Sequence, residues 1–124
     1  MIAVDTSSWI AYFSGQKGSD VEAVELALAH KQAVLPPVVL AELLSDSKLS
    51  KEIVSLFKSI PLLELHDDYW IRVGTLRAQL MGKGLKARLA DTLVAQSCLD
   101  HKVLLITRDG DFRHFQKCVG LQLL

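Results

Sequence analysis

The sequence predicts an α/β fold of three layers, with helices on both sides of a central, mostly parallel sheet of four to five strands. Two observations predict it. Short apolar stretches bounded by turn residues alternate along the chain with longer segments whose apolar residues recur at helical spacing. The short stretches, most clearly Lys102-Val103-Leu104-Leu105-Ile106-Thr107, are apolar on both faces, which suits strands covered on both sides rather than half-solvated ones.

Taken in order, Ile2-Ala3-Val4 reads as a buried strand ending at Asp5. Thr6 to Phe13 carries Trp9, Ile10, Tyr12 and Phe13 and stops at Ser14-Gly15, a short helix closed by glycine. Gly18-Ser19-Asp20 starts a second helix, with Val21, Val24, Leu26 and Leu28 as its apolar stripe through about His30. Ala33-Val34-Leu35 is the next strand. Pro36-Pro37 closes it and opens a helix over Val38 to Leu44, because proline is favourable in the first helical turn. Ser50 to Ile60 repeats Ile53, Val54, Leu56, Phe57 and Ile60 at helical spacing, and Leu62 to Leu65 is a third strand. A long helix runs from Asp67 to about Met81 with Tyr69, Trp70, Val73, Leu76 and Leu80 inward, ended by Gly82 and Gly84. Leu89 to His101 is a further helix, and the strand Lys102 to Thr107 follows it. The turn Arg108-Asp109-Gly110-Asp111, a short helix over Phe112 to Phe115 and a last strand at Gly120 to Leu123 complete the chain.

With 124 residues the chain is expected to form one domain with a core that needs neither disulfides nor a structural metal. No apolar run is long enough to span a membrane and no secretory signal is evident, so a cytoplasmic location is expected. Cys98 and Cys118 lie far apart and read as reduced structural thiols. Fourteen basic and fourteen acidic residues cancel, so total charge does not point to nucleic acid and local charge must carry that argument.

Four acids stand in apolar company. Asp5 ends the first strand, Glu42 is the one charge between Leu35 and Leu44, Asp91 opens Ala90-Asp91-Thr92-Leu93-Val94-Ala95, and Asp109 follows the strand Val103 to Thr107. In an open parallel sheet such positions converge outside the carboxyl ends of the strands, where strand order reverses. Carboxylates gathered there repel one another unless a cation is bound, and hard oxygen ligands suit Mg²⁺ or Mn²⁺. Each acid also has a simpler reading. Asp5, Asp91 and Asp109 fit helix N-caps, Glu42 fits a surface position, and Asp111 either assists the site or caps the short helix after it.

The stretches Asp5-Thr6-Ser7, Ala41-Glu42-Leu43, Leu89-Ala90-Asp91-Thr92-Leu93-Val94-Ala95 and Leu105-Ile106-Thr107-Arg108-Asp109-Gly110-Asp111-Phe112 resemble, in order and spacing, the successive motifs of PIN-domain ribonucleases. The small size looks like the VapC toxins of toxin–antitoxin pairs. The resemblance implies a metal-dependent endoribonuclease whose metal is held by Asp5, Glu42, Asp91 and Asp109, with Asp111 auxiliary and Ser7 and Thr107 offering hydroxyls nearby. It also implies an RNA substrate, a cognate antitoxin and a homodimer.

Phosphodiester hydrolysis with one or two divalent ions is the chemistry these groups support, the ions held chiefly by Asp5 and Asp91, with Glu42 or Asp109 orienting the water or completing the second ion site. None of the four histidines lies in a motif, so a paired-histidine ribonuclease mechanism is not indicated. Between Asp68 and Asp91 there is no acid, whereas Arg72, Arg77, Lys83, Lys86 and Arg88 all fall there. Lys83, Lys86 and Arg88 lead directly into Asp91 and form a candidate phosphate-binding loop, or a solvated helix end with favourably placed cations. Two other functions fit the same residues: a housekeeping RNA-processing nuclease and a non-catalytic binding subunit on the same scaffold.

Overall fold

The computed structural model describes all of residues 1–124. Three strands, β1 (Ile2–Val4), β2 (Ala33–Val34) and β3 (Leu104–Ile106), alternate with seven helices: α1 (Thr6–Phe13), α2 (Ser19–Ala29), α3 (Pro37–Leu44), α4 (Lys51–Ser59), α5 (Tyr69–Gly82), α6 (Leu89–His101) and α7 (Phe112–Val119). The sheet is parallel, in the order β2-β1-β3, with Ile2 opposite both Ala33 and Leu104 and Val4 opposite Ile106. Because β1 is central, the chain leaves it in one direction to reach β2 and crosses back over it to reach β3. Right-handed crossovers place those two excursions on opposite faces. The crevice where strand order reverses therefore opens at the carboxyl ends of β1 and β3.

The sheet is narrower than the expected four to five strands. The two outer candidates each contribute one parallel bridge, Leu35 with Leu62 and Leu105 with Leu123. Leu62 is bracketed by a single pair of hydrogen bonds, Leu35 N–H to Pro61 O at 2.9 Å and Leu63 N–H to Leu35 O at 2.9 Å. Pro61 has no N–H to extend that pairing, and Leu62 and Leu65 face solvent rather than a second layer. On the other edge Leu105 N–H donates to Gln122 O at 2.9 Å and Leu124 N–H donates to Leu105 O at 3.0 Å.

The helices fall close to their expected places, and the exceptions are about which face is inward. Trp70 is 66% exposed and Leu26 60% exposed, so neither belongs to the apolar stripe assigned to it. The α5 residues that do go inward are Tyr69, Val73, Leu76 and Leu80, at the spacing of one helical face. Helix α7 runs past Phe115 to Val119, ending at Gly120 in the left-handed conformation that glycine tolerates best. Every helix and strand contributes to one contiguous core, centred on Val4, Trp9, Phe57, Leu80, Leu105, Ile106, Phe112 and Phe115. Phe57 meets Trp9 and Phe13 edge to face, at ring separations of 5.4 and 5.5 Å, and so ties α4 to α1. No helix is long and apolar enough to cross a membrane.

Candidate metal and phosphodiester site

β1 delivers Asp5 to the crevice and α1 starts immediately after it. Asp5 stands in the N-cap position of α1, yet its side chain makes no capping hydrogen bond. Instead Oδ2 accepts from Ser7 Oγ at 2.8 Å and from Thr107 Oγ1 at 3.1 Å, which joins the end of β1 to the end of β3. The residue is 5% exposed. Burial raises its carboxyl above the ordinary 3.8, and the two hydroxyls oppose that shift.

Asp91 lies in the first turn of α6, and Arg88 rather than Asp91 occupies the N-cap position. Its Oδ2 is buried and has no hydrogen-bond partner. The carboxyl is pushed up from 3.8 to about 6, chiefly by burial, then by the negative charges of Asp109 and Asp5, with Arg88 opposing and Asp111 adding a smaller push. A buried carboxylate oxygen with nothing to accept from is costly, and such groups call for an explanation.

Asp109 and Asp111 come from the turn between β3 and α7. Thr107 Oγ1 accepts the Asp109 N–H at 3.0 Å, and Asp109 Oδ1 accepts the Asp111 N–H at 2.9 Å. This side-chain-to-backbone turn folds the loop back on itself. Asp111 stands at the N-cap of α7 and makes no side-chain capping bond. One carboxylate oxygen each from Asp91, Asp109 and Asp111 lie within 4.8 Å of one another. Two full negative charges at that spacing repel by about 3 kcal/mol at an effective dielectric near 20. Lys86 is the only side-chain cation paired with the group, its Nζ 3.2 Å from Asp111 Oδ2.

Of the four acids singled out in the sequence, Asp91 and Asp109 fall in this tight group, with Asp111 as the third member. Asp5 is close enough to raise Asp91 but is itself held by Ser7 and Thr107. Glu42 is not one of these three: it is exposed on α3, and its Oε1 accepts from Thr6 Oγ1 at 2.8 Å. Thr6 follows Asp5 directly, so Glu42 reaches the rim of the crevice through α1. Lys83, Lys86 and Arg88 are exposed in the loop before α6, which Arg77 pins by donating from Nε to Ala87 O at 2.8 Å.

A second network escaped the sequence analysis. Arg108, between Thr107 and Asp109, donates from Nε and Nη2 to the two oxygens of Asp20 at 2.8 and 2.9 Å, and Ser8 Oγ donates to the same carboxylate at 2.8 Å. Asp20 is far from Arg108 in sequence and also reads as a helix-starting residue, so no local pattern announces the pair.

The donor set tests whether a divalent cation fits. Hard carboxylate oxygens, mutual repulsion and an unpartnered oxygen on Asp91 form a donor set that a divalent cation fits. Asp91, Asp109 and Asp111, with Asp5 beside them, are the residues that can hold it.

Comparison with known proteins identifies the family. The sequence profile of the PIN domain matches residues 2–117. Among curated proteins, the VapC ribonuclease Mb1587 of Mycobacterium bovis is 27% identical over 132 aligned residues, covering 98% of this chain and 96% of that protein. Ribonuclease VapC11 of Mycobacterium tuberculosis is equally similar over the same span. Among solved structures, VapBC2 of Rickettsia felis bound to a promoter DNA fragment has a chain that superposes with a TM-score of 0.75 at 23% identity, covering all of this chain and 98% of that one. FitAcB of Neisseria gonorrhoeae has one that superposes with a TM-score of 0.71 at 18% identity, covering all of this chain and 96% of that one. With a parallel β2-β1-β3 sheet, acids gathered at its carboxyl edge and the family profile running through nearly the whole length, this chain belongs to the PIN domain family.

Proposed function

We propose that this chain is a divalent-metal-dependent endoribonuclease that hydrolyses RNA phosphodiester bonds, and that it is the toxin of a toxin–antitoxin pair. The observation that carries the reading is Asp91: a buried carboxylate oxygen without a partner, pushed up to about 6, within 4.8 Å of the carboxylates of Asp109 and Asp111. A binding module has no need to keep such a charge cluster. Similarity to VapC ribonucleases supports RNA as the substrate, and likeness of fold to a chain of a toxin–antitoxin complex from Klebsiella pneumoniae supports an antitoxin as the partner.

In this reading Asp5, Asp91 and Asp109 hold Mg²⁺ or Mn²⁺, and Asp111 assists. A cation held there would offer positive charge to the phosphate oxygens and lower the pKa of bound water. Ser7 and Thr107 fix the Asp5 carboxylate by donating to its Oδ2. Glu42, held by Thr6, is left to orient the attacking water. Lys83, Lys86 and Arg88 take the phosphate backbone on the open side of the cluster, and Lys86 exchanges Asp111 for a phosphate when RNA arrives.

The antitoxin is assigned to an apolar cavity of about 450 Å³ between α1, α3 and α4, lined by Trp9, Ile10, Phe13, Leu43, Ile53 and Phe57, with Glu42 at its edge. The Trp9 indole N–H in this wall has no acceptor. The chain is read as one cytoplasmic nuclease domain that pairs as a homodimer, for which exposed Trp70 and Ile71 at the start of α5 supply apolar surface.

The test is cleavage of single-stranded RNA by the purified chain with Mn²⁺ or Mg²⁺, with chelator, and with Asp5→Asn and Asp91→Asn. Metal-dependent cleavage lost in both variants is expected. Full activity in both variants, or in excess chelator, would refute the assignment.

A further inference from the structure

Arg108 is the residue that the motif reading leaves without a task. It lies between the two β3-end residues that the site uses, and its backbone N–H approaches Ser7 Oγ at 3.4 Å. Its guanidinium turns away from the acid cluster into a cradle formed by the loop between α1 and α2. Nε and Nη2 engage both oxygens of Asp20, Nη1 donates to Gln16 Oε1 at 2.6 Å, and Nη2 also donates to Lys17 O at 3.2 Å. Four of the five guanidinium donors are thereby used within the chain, which leaves little for a phosphate.

The cradle is built for this contact. A Cβ on Gly18 would stand 2.6 Å from Asp20 Oδ1 and 3.1 Å from Arg108 Nη2, and Gly18 has φ +151°. Only glycine lets the loop close over the pair. The Asp20 side chain is 12% exposed and also receives the hydroxyl of Ser8, a fully buried α1 residue. Arg108 holds the Asp20 carboxyl well down, to about 2, so the pair is charged throughout the neutral range.

We propose that Arg108, clamped bidentately by Asp20, is a positioning residue that locks the β3–α7 turn to the α1–α2 loop and so holds Thr107, Asp109 and the Asp5 carboxylate in ligand geometry. The inference rests on the metal-site reading above. Its physical basis is that Thr107 serves Asp5 and Asp109 together: its hydroxyl donates to Asp5 and accepts from the Asp109 N–H. Letting the next residue swing free loosens both acids at once. Groups that orient metal ligands through a hydrogen-bond network commonly contribute roughly 10- to 100-fold in metal affinity.

The experiment measures Mn²⁺ affinity of the chelator-stripped protein by calorimetry, well below its melting temperature, for the unaltered chain, Arg108→Gln, Asp20→Asn and the double variant. Each single variant is expected to bind Mn²⁺ roughly 10-fold more weakly or worse, and the double variant no worse than the weaker single, because both break one unit. RNA cleavage should show a lower kcat with KM unchanged. A role confined to stability would lower Tm and leave the affinity of the folded chain intact, which overturns the proposal. A raised KM with kcat and Mn²⁺ affinity unchanged makes Arg108 a phosphate contact and also overturns it. Asp20→Asn, on the surface helix α2, carries the test if Arg108→Gln does not fold. Failure of the unaltered chain to bind Mn²⁺ refutes the metal site itself, and the clamp with it. Normal binding by every variant refutes the clamp alone.

Discussion

Asp91 is where stability and function oppose each other. Its carboxyl titrates near 6 in the folded chain against an ordinary value of 3.8, so the metal-free fold binds that proton more tightly than the unfolded chain does. The stability this contributes is fully present below about 4 and is lost as pH rises through about 6. Asp91→Asn keeps the shape, removes one charge from the group with Asp5, Asp109 and Asp111, and gives the unpartnered Oδ2 position an amide that donates to its neighbours. The expected outcome in chelator at pH 7 is a higher Tm than that of the unaltered chain, together with loss of RNA cleavage. A Tm that falls on this substitution would contradict the electrostatic account of the cluster. The sequence shows that this acid is unusual, since Asp91 stands at the head of an apolar run through Ala95. It did not show which acids share its space, because Asp111 and Glu42 differ only in where tertiary contacts carry them.

At the scale of elements, the helices were more legible than the strands. Helix α6 was readable from end to end because Leu89 to His101 is framed by a basic loop and a strong strand, and it is buried from Thr92 to Cys98. The outer strands are shorter than their apolar runs suggest, because Leu62 and Leu123 make one bridge each and a run's length does not report how much edge is available for pairing. The loop before α6 carries a prediction of its own. If Lys83, Lys86 and Arg88 meet phosphates, neutralising each one should weaken binding to any single-stranded RNA and reduce the slope of log K against log[salt] by roughly 0.7. Filter binding across a salt series, on an Asp91→Asn background that cannot cleave, measures it. Slopes that do not change would return these residues to the role of solvated cations near a helix end.

For the whole molecule, metal and pH act on one equilibrium. Asp5 and Asp91 both have raised carboxyls, whereas the charged pairs of Asp20 with Arg108 and Asp100 with Arg72 hold their acids down. The metal-free protein is therefore expected to be most stable in mildly acid solution, losing stability upward through about pH 6 and again below about pH 4. Mn²⁺ should remove the upper loss, because a bound cation favours the ionised carboxylates. At about 100 times its dissociation constant the ion adds roughly 2.7 kcal/mol. Melting curves across pH with and without Mn²⁺ test this, and parallel curves would count against a shared site. The apolar cavity between α1, α3 and α4 gives a separate handle: Ile10→Glu at its exposed edge should abolish antitoxin binding and leave cleavage intact.

Apolar periodicity and short motifs are local properties, so the alternation of strands and helices, the family resemblance and the acids worth testing are all legible in the residues alone. The width of the sheet, the grouping of Asp91 with Asp109 and Asp111, the Thr6–Glu42 hydrogen bond and the Arg108–Asp20 pair emerge only on folding. Each of these depends on distances between residues remote in the chain. Those distances follow from how parallel strands stack and which loops meet at their ends, and no window of sequence contains them.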